Sequence, residues 1–177
     1  MMKSKLLLVP ILTFILFASS TIKSDDEYDQ TVSQWKSYED VVRWMVIYFE
    51  FDMERYKAVQ GGGPRFFPPR APRETFKLKS GVCYDGAVFA AETLNRIDPS
   101  YKAKVVFIEN RPFTENHYVC SFEIEGKLFI MDYATIYWSM RGVHGPFDSL
   151  EDYKEFYETH HPEVRDVISI RYWNYHF

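Results

Sequence analysis

Three residues far apart in the chain carry side chains suited to acyl chemistry: Cys83, His117 and Asp132. A cysteine attacks a carbonyl as its thiolate, and an unperturbed thiol, with a pKa of about 8.5, is mostly protonated at neutral pH. Neighbours must therefore activate it. Cys83 stands in Ser80-Gly81-Val82-Cys83-Tyr84-Asp85-Gly86, ahead of an alanine-rich run in which Ala87, Ala90, Ala91 and Leu94 recur at helical spacing. With Ser80 as N-cap, the thiol falls in the first turn of a helix, where the dipole favours an anion and unpaired backbone amides can hold an oxyanion. An imidazole at His117 would take and return the proton. A carboxylate at Asp132 would fix the ring's tautomer and stabilise its charged form.

Each residue also has a plainer interpretation. Cys83 lies four residues before Ala87 and so shares its buried face, as a small core residue would. His117 can be an ordinary polar strand residue and Asp132 a turn former. Cys83 and Cys120 are the two cysteines of the chain, and in an exported protein such a pair can form a disulfide.

The elements that must position these groups can be read from the pattern. Residues His117 to Ile124 and Lys127 to Ala134 alternate as two strands around Glu125-Gly126, which predicts a β-hairpin. A two-residue loop sets Ile124 opposite Lys127, His117 opposite Ala134 and Val119 opposite Asp132. His117 and Asp132 are then diagonal neighbours on one face, about 7–8 Å apart at the backbone. A three-residue loop would put them on opposite faces. The same alternation sends Cys120 to the other face with Tyr118, Phe122, Phe129 and Met131, which opposes a Cys83–Cys120 bridge if the helix packs on the His117 face.

Elsewhere, Ser37 caps a predicted core helix over 38–57, with Glu39 and Asp40 in its first turn. Residues 24–34, polar and acidic, read as a mobile arm. Lys104–Glu109 is a β-branched central strand, Ser149 caps a helix over Leu150–Thr159, and Val167–Tyr172 is a last strand. Gly61 to Pro72 is too rich in glycine and proline for regular structure. It is either a plain linker or a loop bordering the site that offers Phe66, Phe67, Arg65 or Arg70 to a substrate. No lysine-serine pair follows its glycines, so it is no P-loop. Tyr118, beside the histidine, and His144, in a glycine-flanked loop, join Phe66 and Phe67 as candidate substrate contacts. His160-His161 at a helix end read as solvated, with no third ligand at zinc spacing. Asp85 reads simply as an acidic residue favoured near a helix start.

Lys3 and Lys5 precede the apolar run Leu6–Ala18, with small residues at Ala18 and Ser20. This predicts a signal peptide over residues 1–20, a secreted or periplasmic protein, and a single domain over 21–177. The run is short for a bilayer span, so no stable membrane insertion is expected after its removal; an uncleaved anchor is the alternative. Without it, 19 basic residues face 25 acidic ones, a net charge of −6. That excess excludes phosphate-driven nucleic-acid binding as a function class.

The run from Arg73 to Thr135 resembles the transglutaminase-like superfamily, the branch of papain-like folds with its catalytic cysteine on a core helix. The match is carried by ETFKLKSGVCYDGAVFAAETL, by KVVFIEN before a strand opening at His117, and by KLFIMDYAT with Asp132 in the third family position. Tyr118-Val119-Cys120 after the histidine and Tyr133 after the aspartate depart from the common pattern. The resemblance implies an α+β fold with the cysteine helix packed on an antiparallel sheet, and Cys83, His117 and Asp132 as catalytic triad. It implies attack on a peptide or side-chain amide through a thioester resolved by water or an amine, with no cofactor or metal and with a peptide or protein as partner. Hydrolysis is favoured over transfer, since no second domain is evident to hold an amine donor. A non-catalytic peptide-binding module with the same fold is the alternative.

Overall fold

The computed structural model describes residues 24–60, 67–111 and 116–175, the first three of these by backbone alone. The expected leader over residues 1–20 and the loop residues Arg65 and Phe66 lie outside the described residues.

The described residues open with α1 (Ser24–Val32), where an arm was expected. Burial of Tyr28 and Val32 explains the difference: both enter the core, and the Tyr28 hydroxyl pairs with Thr93 Oγ1 at 3.0 Å. Two apolar anchors on one helical face suffice to dock a segment whose composition is otherwise polar. Ser37 then caps α2 (Tyr38–Tyr48), and Asp40 accepts the backbone N–H groups of Lys36 and Ser37. The single helix expected over 38–57 is broken. Phe49 turns extended and buries its ring, Glu50–Phe51 forms β1, and Asp52 caps a second helix, α3 (Met53–Val59), by accepting from Arg55 N–H. Asp52 looks like part of a helical stripe by spacing, yet its side chain serves better as a cap.

After Phe67–Ala71, Pro72 starts α4 (Pro72–Leu78), and Lys79 leaves it in the left-handed region at φ 55°. Ser80–Gly81 forms β2, parallel to β1, and α5 (Cys83–Ile97) follows with Val82 as its cap. Ser80 is thus a strand residue rather than the N-cap. Asp98 ends α5, and Asn95 ties both backbone groups of Ala103, turning the chain into the main sheet. That sheet comprises β3 (Lys104–Arg111), β4 (His117–Ile124), β5 (Lys127–Asp132), β6 (Gly142–Phe147) and β7 (Asp166–Tyr172). Its order is β6-β5-β4-β3-β7, all neighbours antiparallel. The strand β6, with two glycines and a proline in six residues, has no readable alternation and was not anticipated. The fold is α+β, as expected.

The hairpin register is the two-residue-loop one: Ile124 opposes Lys127 and Cys120 opposes Met131. Glu125 and Gly126 both take positive φ, 52° and 77°, as a turn matching strand twist requires. One face of the sheet, through Val105, Cys120, Phe122 and Met131, packs against α5, α2 and α1, where Trp44 lies 4.5 Å from Phe89 and 5.2 Å from Phe76 by ring centroids. The other face, through Val106, Ile108, Val119 and Ile130, packs against α6 (Leu150–His160), capped by Ser149.

The helix α5 therefore covers the Cys120 face of the sheet, not the His117 face. The premise used against a disulfide fails, yet both cysteines are free. Cys120 is sealed beneath the body of α5, whereas Cys83 is the helix's first residue.

Candidate active site

The first turn of α5 is held by an ionic network. Asp85, fully buried, accepts Arg55 Nε at 2.7 Å, Arg70 N–H at 2.8 Å and the N–H of the cap residue Val82 at 3.0 Å. Arg70 also bonds Asp52 and the Ser80 carbonyl. Burial works against the Arg55 charge, but Asp85 outweighs it and raises its pKa above the usual arginine value. Four charged residues thus tie α3, the segment before α4, and the start of α5 into one frame. Arg70, a candidate substrate contact by sequence, is consumed by it, and Asp85 does far more than complement a dipole. A buried carboxylate can stay charged only when its partners are supplied by tertiary structure.

Two glycines let the chain close around this frame. A β-carbon on Gly81 would sit 2.6 Å from Asp85 Cβ, and one on Gly86 would sit 2.4 Å from Ala134 Cβ. Bare backbone at Gly86 lets the first turn of α5 approach the segment just past β5. The end of β5 carries Asp132, so this contact draws Cys83 toward the carboxylate's strand.

His117 opens β4 and Asp132 closes β5. Their side chains meet with His117 Nε2 2.7 Å from Asp132 Oδ2, at side-chain exposures of 12% and 1%. The ring's other nitrogen, Nδ1, is not engaged by Asp132, and Cys83 lines the same cleft as His117, near enough to act on its charge. Burial opposes the imidazolium, but Asp132 and the Cys83 sulfur outweigh it and raise the His117 pKa to about 10. Although α5 lies on the far face of the sheet, Cys83 shares a cleft with His117 because each is a terminal residue: one begins its helix and the other its strand. Only at the sheet's end can groups from opposite layers touch. In this arrangement a thiol can lose its proton to the imidazole, and amides of the first helical turn lie next to the sulfur.

Cys83 and His117 line a cleft with Phe51, Tyr56, Asn116, Ala134, Thr135, Ile136, Tyr137, Tyr157 and His161, and Asp132 lies buried behind the imidazole. Of the candidate substrate contacts, Phe67 is half-buried and packs against the cluster of Val59, Val82 and Tyr84, which Cys83 also touches. Tyr118 faces the α5 layer, its ring 4.7 Å from Trp173, 4.9 Å from Phe107 and 5.8 Å from Tyr84. It is a packing residue close to the thiol rather than part of the cleft wall. His144, on β6, gives its Nε2–H to the Met140 carbonyl at 2.8 Å and leans on Phe156; it does not line the cleft.

His161 is the residue that sequence reasoning missed. It is buried, not solvated, and lines the cleft, its ring 4.9 Å from Tyr157 and 4.5 Å from Tyr137. Burial and the nearby His117 charge lower its pKa to about 4. The signal available was Pro162, which ends the helix and turns the chain back over the ring. His160, its neighbour, is exposed and stacks on Phe156. Among the described residues no cluster of three or more His, Cys, Asp and Glu could hold a metal ion.

A family model described as a transglutaminase-like domain matches residues 20–143. The chain belongs to that family. The matched region of this transglutaminase-like chain includes Cys83, His117 and Asp132 and stops before α6. Among solved structures it is similar to a TGase crystal structure, with 12% identity over 77% of this chain and 39% of that one, at a TM-score of 0.50. Two structures of Legionella pneumophila LapG also match: the calcium-bound form at 15% identity over 63% of this chain and 73% of that one, TM-score 0.34, and the EGTA-treated form at 16% over 63% and 72%, TM-score 0.35. This transglutaminase-like chain thus spans about two fifths of the TGase it resembles. No curated protein matched it.

Proposed function

We propose that this protein is a cysteine acyl hydrolase or acyltransferase acting on peptide or side-chain amides. Cys83 is the nucleophile, His117 the base and then the acid, and Asp132 the residue that orients and charges the imidazole. The observation that carries the reading is the pairing of His117 Nε2 with Asp132 Oδ2 at 2.7 Å in a cleft that Cys83 also lines, with the sulfur at a helix N-terminus. His117, held positive by Asp132, favours the thiolate beside it. The sulfur attacks the amide carbon, and the carbonyl oxygen takes the negative charge near the first-turn amides. His117 then gives its proton to the leaving nitrogen, and a thioester remains. Water or an amine, deprotonated by His117, releases the acyl group.

We place the protein outside the cytoplasm, secreted or periplasmic, with residues 1–20 as its leader. The basic start and short apolar run support this, and among the described residues no helix is long and apolar enough to cross a membrane. The intact mass of the mature protein checks the leader.

Alkylation tests the chemistry. Cys83 is expected to react with iodoacetamide at about pH 7, well before an ordinary thiol, and Cys120 only after unfolding. A peptide and isopeptide library read by mass spectrometry, with and without added amine, should then give a thioester on Cys83 and separate hydrolysis from transfer. Ordinary thiol behaviour at Cys83 with no thioester would overturn the reading.

A further inference from the structure

His161 belongs to the cleft but to none of the three roles just assigned, and it lies beyond the region matched by the family model. It directly follows α6, its N–H bonded to the Tyr157 carbonyl at 2.8 Å. Its ring lies parallel to Tyr157 on one side and against the face or edge of Tyr137 on another. Pro162 then turns the chain so that two successive backbone donors, the N–H groups of Glu163 at 3.1 Å and Val164 at 2.8 Å, point at Nδ1.

Those two bonds decide the tautomer. A nitrogen that accepts backbone N–H groups carries no proton of its own, so the neutral ring keeps its proton on Nε2. With Nδ1 turned to the chain, the Nε2 edge is the one left to the cleft wall. Protonation would force Nδ1–H against two donors in a buried site next to the positive His117. The pKa of about 4 agrees with that geometry. His161 is therefore neutral at physiological pH and can offer the cleft a donor, but no base.

We infer that His161 is a hydrogen-bond donor to substrate, giving its Nε2–H to the carbonyl oxygen of the acyl group that Cys83 attacks. The inference rests on the Cys83–His117 reading and adds a fourth residue to it. As the sulfur–carbon bond forms, the carbonyl π pair moves onto oxygen, and that oxygen accepts from His161 and from the first-turn amides. No proton leaves His161. When the tetrahedral species collapses, the pair returns and the leaving group departs.

Two reactions of the same thiol isolate this role. Acetylation by p-nitrophenyl acetate passes through an oxyanion, whereas alkylation by iodoacetamide at a saturated carbon does not. In His161→Asn the amide oxygen can replace Nδ1 as acceptor for Glu163 and Val164, but no donor remains at the Nε2 position. In His161→Gln the reverse holds. His161→Asn should acetylate about 10- to 100-fold more slowly than wild type in a single turnover, with alkylation changed by less than about twofold. His161→Gln, though less stable, should acetylate within about tenfold of wild type. Acetylation by His161→Asn at the wild-type rate, or an equal fall in both reactions, would overturn the inference alone. If His161→Asn does not fold, a loss of acetylation but not alkylation in His161→Gln would overturn it. A wild-type protein that neither acetylates nor alkylates at neutral pH would remove the underlying reading as well.

Discussion

Two walls of one cleft each present an imidazole, and the two rings are driven in opposite directions. On the wall made by β4, His117 faces a buried carboxylate and a thiol, and its pKa rises to about 10. On the wall made by the turn after α6, burial and the neighbouring positive His117 lower the His161 pKa to about 4, and two backbone donors occupy its Nδ1. Both side chains are largely buried, so burial alone would have kept both neutral. The difference lies in what each ring nitrogen meets: an acceptor stabilises a second N–H, and a donor forbids it. One cleft therefore holds an imidazole that favours its charged form and another that stays neutral with its proton on Nε2.

The largest test of that contrast removes the cationic ring. In His117→Ala, thioester formation is expected to fall by about 10⁴-fold and iodoacetamide alkylation at neutral pH by about 10²-fold, read by single-turnover mass spectrometry. Similar rates in His117→Ala and wild type would dissolve the distinction between the two walls.

Asp132→Asn should make His117 resemble His161. Without the carboxylate the ring loses what holds it positive, so acyl transfer drops by about 10²- to 10⁴-fold. The alkaline limb of the pH profile moves down from about 10 toward the ordinary histidine value. An NMR titration of the His117 ring checks the shift directly; an unmoved midpoint would mean that Asp132 does not set the charge.

Stability should depend on pH with opposite slopes from the two rings. The His117 pKa is raised, so the folded state holds the extra proton between 6.5 and about 10, and its contribution is lost as pH rises through that window. The His161 pKa is lowered, so the unfolded state takes up the extra proton, and stability falls as pH drops from 6.5 to about 4. Urea midpoints measured across pH should lose the acid slope in His161→Asn and keep the alkaline one.

The smallest expected effect is Tyr137→Phe. It deletes the exposed bond from the hydroxyl to Glu163 Oε2 at 2.8 Å but keeps the ring against His161. Chemical denaturation should register less than about 1 kcal/mol, and acetylation should not change. A large loss of acetylation would show that the Tyr137 hydroxyl, not only His161, serves the cleft.

Much of the site was legible because its signals are local. The Glu125-Gly126 turn sets the register that brings Asp132 and His117 to one face, and the alanine spacing after Cys83 marks the helix. The misread segments share a cause. Asp52 and Ser80 each suited a helical pattern but were recruited elsewhere, Asp52 as a cap and Ser80 into a two-residue parallel ladder. The 24–34 stretch looked unstructured because its anchors, Tyr28 and Val32, gain their worth only against α5 and the rest of the core. His161 looked solvated because Pro162 marks the end of the helix but not the Tyr157 and Tyr137 rings against which the turn presses the imidazole.

By itself, the sequence determined the helix after Cys83, the hairpin and its register, the family resemblance and the candidate triad, since periodicity, turn chemistry and motif order are properties of neighbouring residues. Only the tertiary structure decided which face of the sheet α5 covers, what holds its first turn, and which state each imidazole adopts. Those outcomes depend on groups distant in the chain, Asp85 with Arg55 and Arg70, Gly86 with Ala134, His161 with His117. Charge and packing act across space, so no local pattern encodes them.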